Sequence, residues 1–210
     1  MCCAQLGDLG EFGKKTNFER ATRAPFILRD PSSSAPAGTS SALVEFVDLM
    51  PTILELALGS SAKPALCPVV STSVALCTEG QSLAPIMSNL DSDRVLRDAV
   101  FMQYPVCMHD EMIWHDGCAD STEPKVMGYA MRTRRWRYIE WVRFDKRTIP
   151  PTPLWDQLLG TELYDHTMED IVENVAESVN VVAQPMLAST VARLSARLRA
   201  GWRAAYVARS

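Results

Sequence analysis

Residues 127–144 read MGYAMRTRRWRYIEWVRF. The stretch divides into two strands around a basic turn at Arg134 and Arg135. In the second strand Trp136, Tyr138, Glu140 and Val142 fall on one face, and Arg137, Ile139 and Trp141 on the other, because side chains alternate along a strand. Working outward, AVFMQYP (Ala99–Pro105) reads as a strand that ends at its proline, and TELYDH (Thr161–His166) as a further short strand. From about Pro185 to Ala205 the period changes. Leu187, Val191, Leu194, Leu198, Trp202 and Ala205 recur at intervals of three and four, the spacing of a helix with one apolar side. Pro185 suits the first turn of that helix, which is expected over about 185–206. Trp202 and its stripe therefore read as core. Residues 97–210 are expected to form one subdomain, a small antiparallel sheet packed by the helix.

The first half is organised differently. Residues 1–18 are glycine-rich and polar, as suits a functional loop. Ala24–Leu28 is a short apolar run that reads as a buried strand, and Ser32–Ala42 as a flexible surface loop. A helix is expected from Asp48 as N-cap, with Pro51 in its first turn and Gly59 as its stop. Met50, Ile53, Leu54 and Ala57 would share one of its faces. Ser60–Leu83 reads as a loop holding Cys67 and Cys77. Residues 1–96 are expected to belong to an α/β domain, since strands mixed with helices point to α/β or α+β architecture.

Composition narrows the function. The chain has 210 residues, 47% hydrophobic and 22% charged, the balance of a globular protein with a sizeable core. A formal charge of −4 gives no electrostatic case for nucleic acid. No apolar run approaches the roughly 20 residues of a transmembrane helix. The first residues lack the pattern of a signal peptide, and no Asn-x-Ser/Thr sequon occurs, so the compartment stays open.

Several segments, in order, resemble the C-terminal part of sulfatases. LGDLGEFGKKTNFERATRAPFIL (Leu6–Leu28) is similar to the sulfatase loop Leu-Gly-Glu-His-Gly-x-x-x-Lys and the Asn-Phe-Glu segment that follows it. VEFVDLMPTILELALG (Val44–Gly59) is similar to the family's Val-Asp-Leu-Phe-Pro-Thr helix. CPVVSTSVALCTEGQSL (Cys67–Leu83) and MGYAMRT (Met127–Thr133) favour the iduronate-2-sulfatase branch. The resemblance implies an alkaline-phosphatase-like α/β fold with a smaller C-terminal subdomain. It also implies hydrolysis of a sulfate ester, here the 2-O-sulfate of iduronate in the glycosaminoglycans heparan and dermatan sulfate. Family members work with a formylglycine made from cysteine and a calcium ion, in a lysosomal or secreted setting.

Residue by residue, the resemblance assigns one catalytic contact, Lys14, four positions after Gly10, where the family places a sulfate-contacting lysine. The chemistry suits it, because an ammonium beside the ester stabilises charge that develops on the bridging oxygen. The rest of the machinery is not matched. The family's metal-binding Asp-His falls on Met1 and Cys2, and its loop histidine on Leu9. The Cys/Ser-x-Pro-x-Arg modification motif is absent. The expectation is a chain that binds no metal alone, has no activity alone, and works with an N-terminal sulfatase section. A non-catalytic remnant, or a module that binds glycans or associates with another section, is the competing expectation. The resemblance also pairs Cys67 with Cys77 as a disulfide, with two buried thiols as the alternative reading.

Two clusters remain. Cys107, His109, His115 and Cys118 lie within twelve residues, but their spacing matches no common zinc module, and a Cys107–Cys118 disulfide or plain loop residues explain them as well. The family places this region near the substrate, so His109, Trp114 and His115 are candidates for sugar contacts. Arg132, Arg134, Arg135 and Arg137 would attract a polyanion, although a turn and a solvated strand face account for them more simply.

Overall fold

The computed structural model describes residues 5–7, 10, 12–13, 16–31, 37–68, 70, 73–88, 90, 97–108, 114–115, 125–145, 147–167 and 177–207. In chain order the elements are β1 (Gln5–Leu6), β2 (Phe12–Gly13), α1 (Glu19–Thr22), α2 (Leu49–Leu58), α3 (Ala84–Ser88), β3 (Ala99–Met108), β4 (Trp114–His115), β5 (Val126–Thr133), β6 (Trp136–Asp145), β7 (Thr152–Asp165), α4 (Ala188–Ala200) and α5 (Trp202–Val207). They form two compact units: Met1–Pro25 with Ala99–Ser210, and Phe26–Asp98.

The first unit is built on an antiparallel sheet of order β4-β3-β5-β6-β7. The β5–β6 hairpin turns at Arg134 and Arg135, and its register pairs Met131 with Tyr138 and Ala130 with Ile139. The predicted two-face split of β6 is therefore the one observed. Ala99, Met131, Trp136, Tyr138 and Leu163 pack with Leu194 and Leu198 of α4 in one cluster. Ala130, Ile139 and Tyr164 form a separate cluster with Phe18, Met102 and Trp141. The buried Glu140 fastens α4 to the sheet, since its carboxylate accepts from Tyr138 Oη at 2.8 Å and from Arg199 Nε at 2.9 Å.

The second unit centres on α2. Its N-terminus is closed by a capping box in which Glu45 and Asp48 exchange side-chain and backbone bonds across the turn Phe46–Asp48. Asp48 is the N-cap residue of α2, as expected, but its side chain makes no capping bond to that helix; its buried carboxylate gathers the Glu45 N–H, the Gln81 N–H and the Arg97 guanidinium. Thr52 Oγ1 donates to Asp48 O at 2.6 Å and accepts Leu83 N–H at 2.9 Å, which ties α2 to the chain entering α3. Gly59 ends the helix at φ 91°, in the left-handed region where glycine is favoured. Gly80 is required by space, because a Cβ there would lie 2.0 Å from Val47 O. A disulfide joins Cys67 to Cys77.

Four sequence expectations change. Ala24–Leu28 forms no strand, and Ile27 is 91% exposed. A strand needs a hydrogen-bonded neighbour, and among the described residues none pairs with this run. β3 does not stop at Pro105 but runs to Met108, with Pro105 opposite Met127. β7 begins nine residues earlier than Thr161, at Thr152, and completes the edge of the sheet. The C-terminal helix is interrupted at Gly201, whose φ of 81° breaks the path between α4 and α5.

Leu194→Ala would empty the space beneath α4. The variant should unfold at lower denaturant, with a loss of about 2–5 kcal/mol. Chemical denaturation followed by tryptophan fluorescence checks this, because Trp136 belongs to the same cluster.

Candidate functional site

The segment that carries the sulfatase-like loop is fastened to the sheet immediately after it. β1 and β2 form a small antiparallel hairpin, with Gln5 opposite Gly13 and Leu6 opposite Phe12. Its connection holds Gly7 at φ 112° and Gly10 at φ 78°, and Gly10 N–H bonds Gly7 O at 3.0 Å. Positive φ at both places explains the glycines of this stretch. Lys14 follows β2 directly in sequence and lies outside the described residues.

Three residues past Lys14 the chain meets a buried polar cluster. Asn17 Nδ2 donates to Gly128 O at 3.0 Å, and Asn17 O accepts from Arg137 Nη1 at 2.8 Å. Arg137, 1% exposed, also pairs through Nη2 with Glu19 and reaches Glu177 Oε1 through Nε at 2.5 Å. Glu19 accepts a second guanidinium, Arg132 Nε, at 3.2 Å. Glu177 accepts the backbone N–H of Glu19 at 2.7 Å and lies 2.8 Å from His166 Nε2. Residues 17–22 and 132–137, with His166 and Glu177, thus share one set of polar contacts.

The electrostatics follow from this geometry. Burial pushes the Glu19 carboxyl up, but the charges of Arg137 and Arg132 outweigh it and hold Glu19 below its ordinary value. Burial draws Arg132 down, partly offset by Glu19. A buried charge without partners is costly, so removing one member exposes the penalty of the others. Glu177 itself sits at φ 47°, a conformation that costs a non-glycine residue about 1–2 kcal/mol. Its three polar contacts hold it there.

Glu19, His166 and Glu177 also meet the spacing expected of metal ligands. The site does not fit calcium, which takes six to eight oxygen donors. Here the carboxylates already face two guanidinium groups, and a third cation would be repelled.

Of the other candidates named from sequence, His109 and Cys118 lie outside the described residues. Trp114 and His115 form β4, opposite Met108 and Cys107 in the register. The arginines divide in two. Arg134 and Arg135 are exposed at the turn, and Arg135 pairs with Asp165 at 2.8 Å. Arg132 and Arg137 are buried rather than solvated, which corrects the simple reading of this strand face. Sequence reasoning missed the roles of Glu19, His166 and Glu177. One signal was present, since Arg137 shares its face with Ile139 and Trp141, where a charge calls for a buried partner.

Arg137→Met would leave Glu19 and Glu177 buried without their main partner. A loss of about 3–5 kcal/mol is expected in chemical denaturation, with no recovery in Arg137→Lys, which lacks the planar fork. Acid should act through Glu19. Its folded value lies below 4.5, so its contribution is complete above about pH 4.5 and is lost as pH falls through the folded value. Glu19→Gln should therefore flatten the acid limb of a stability-against-pH curve.

Comparison with known proteins agrees with this architecture. No family model matches the chain. Iduronate 2-sulfatase from Mus musculus is 34% identical over 171 residues, covering 67% of this chain and 30% of the relative. The Homo sapiens enzyme gives the same figures. The chain thus spans about 30% of the length of the curated relatives it matches. Among solved structures, a phosphonate monoester hydrolase from Silicibacter pomeroyi superposes with a TM-score of 0.57 at 23% identity, over 90% of this chain and 30% of that one, a likeness of fold. The ordered segments, this fold and the identity to both iduronate 2-sulfatases place the chain in the sulfatase family, in its C-terminal part.

Proposed function

We propose that this chain serves a sulfuric ester hydrolase, supplying Lys14 to a site that cleaves a sulfate ester such as the 2-O-sulfate of iduronate in heparan or dermatan sulfate. The supporting observation is the 34% identity to two iduronate 2-sulfatases. In this reading Lys14 contacts the sulfate and stabilises the charge that builds on the bridging oxygen as the ester bond breaks. The buried cluster from Asn17 to Glu177 sets where the chain after Lys14 is held. His109, Trp114 and His115 are the candidates for contacts to the sugar in this reading.

The nucleophile and the calcium site of the intact enzyme belong to an N-terminal sulfatase section. When bound, calcium polarises the sulfate. The described residues of this chain contribute no suitable cage for it, because the one three-ligand group already holds arginines. The burial of Arg132 and Arg137 also removes half of the basic group that a stand-alone glycan-binding module would use.

The purified 210-residue chain should not hydrolyse a fluorogenic aryl sulfate or a 2-sulfated iduronide. Joined to an N-terminal section, it should. Lys14→Ala in that assembly should lower kcat by about 10²–10³-fold, the usual cost of one charge-stabilising donor. Hydrolysis by the chain alone, or full activity in Lys14→Ala, would count against the proposal.

A further inference from the structure

A bulge in β7 gathers three side chains on the α4 side of the sheet. Leu154 stands opposite Arg143 and Leu158 opposite Val142, so residues 155–157 have no partner on β6. A bulge of this kind bends the strand and re-aims its side chains. Trp155 meets Tyr129 of β5, two strands away, with ring centroids 5.0 Å apart and planes at 45°. That tilt makes a wedge of the two rings rather than a closed stack. The guanidinium of Arg199, in the last turn of α4, lies 5.5 Å from the centre of the Trp155 ring. The buried Glu140 accepts from Arg199 Nε at 2.9 Å, which fixes how the planar fork is turned.

The polar groups of this wedge are left unused by the fold. A phenol or an indole that is taken into a protein ordinarily finds a hydrogen-bond partner. Tyr129 and Trp155 are both half-buried, yet among the described residues none bonds Tyr129 Oη, Trp155 Nε1 or the two terminal nitrogens of Arg199. Neither the phenol nor the indole N–H is sealed from solvent, and the Arg199 side chain is 36% exposed. Aromatic surface beside a few unpaired donors and one oriented charge is the composition of a small-ligand site. The guanidinium asks for an anion, the donors for oxygen acceptors, and the rings for a surface lined with C–H bonds. A flat base would need parallel rings, which the tilt denies.

We propose that Trp155, Tyr129 and Arg199 form a binding site for an anionic sugar unit, a pyranose that bears a carboxylate or a sulfate. The C–H face of the sugar rests on the rings, and its hydroxyl oxygens accept from the phenol and the indole. Its anionic group takes the paired N–H bonds of the guanidinium fork. Tyr129 and Glu140 alternate with Arg132 and Arg137 along β5 and β6, so the site lies on the opposite face of the sheet from residues 17–22. It is therefore separate from the segment that follows Lys14. The ligand class follows from these three side chains and does not rest on the sulfatase reading.

The test follows the indole N–H signals of the five tryptophans by nuclear magnetic resonance in the full, nitrogen-labelled chain, with Trp155→Phe to assign the one concerned. The probes are a heparin disaccharide with a 2-sulfated uronate, the same disaccharide without sulfate, maltose, inorganic sulfate and adenosine monophosphate. The expected result is a saturable shift of the Trp155 signal with the sulfated disaccharide, at an affinity at least about tenfold above that of maltose or inorganic sulfate. An equal response to the unsulfated disaccharide makes the carboxylate the anchor, and a response to the sulfated one alone makes it the sulfate. Calorimetry then ranks the variants. Trp155→Ala and Arg199→Ala should each weaken binding at least about tenfold, and Tyr129→Phe by a smaller factor. Arg134→Ala, which removes an exposed charge at the turn, should leave binding unchanged. Circular dichroism confirms that each variant is folded, and Arg199→Lys, which keeps a charge for Glu140 but not the fork, replaces Arg199→Ala if that variant unfolds.

Several results would overturn the proposal: no saturable shift at Trp155 with either uronate disaccharide, an equal response to maltose or to inorganic sulfate, tighter binding of adenosine monophosphate than of both disaccharides, or an affinity indifferent to Trp155→Ala.

Discussion

The guanidinium of Arg137 lies almost fully buried between two carboxylates, and the first unit is arranged around that fact. A charge taken out of water must be paired, and its partners must then be paired in turn. Glu19 and Glu177 meet Arg137 from stretches far apart in sequence, and Arg132 and His166 complete the set. Fixing this cluster fixes three things together. The chain after the glycine loop is laid on the sheet. The end of β7 is tied to the segment at Glu177. The left-handed backbone of Glu177 is held in a conformation it would otherwise leave.

The two faces of the sheet divide the work. One face is apolar and covered by α4, with Glu140 as a polar tether to Arg199. Arg132 and Arg137, paired across β5 and β6, carry the ion pairs that grip residues 17–22. Gly128 makes the grip possible. A Cβ there would lie 2.7 Å from Asn17 Nδ2 and 2.5 Å from Trp141, so only glycine lets the asparagine reach the backbone of β5. In the proposed function, the segment held in this way is the one that follows Lys14.

Much of this was legible in the residues themselves. The alternation along β6 named both faces correctly, because a strand's period is local and strong. The hairpin turn and the stripe of α4 were legible for the same reason. What escaped depends on contacts between distant residues. Ala24–Leu28 has the composition of a buried strand, but composition does not supply a neighbouring strand. The stripe of α2 has the periodicity of a core face, but Met50, Ile53 and Ala57 are exposed, because periodicity alone does not supply a covering element. Arg137 looked like one of four basic residues at a turn. Only the meeting of Glu19, His166 and Glu177, from separate stretches, distinguishes it from the exposed Arg134 and Arg135. Gly201 ends α4 early because a single left-handed residue overrides an otherwise continuous helical pattern.

Hydrogen exchange at the amide of Glu19 tests the account most directly. That N–H donates to Glu177, and its segment is bonded to Arg137 and Gly128 rather than to a neighbouring strand. If the buried cluster is the fastening, the Glu19 amide should exchange as slowly as the central amides of β5 and β6. In Glu177→Gln it should become fast while the sheet remains protected. A Glu19 amide that exchanges freely in the unaltered chain, or one indifferent to Glu177→Gln, would contradict the account.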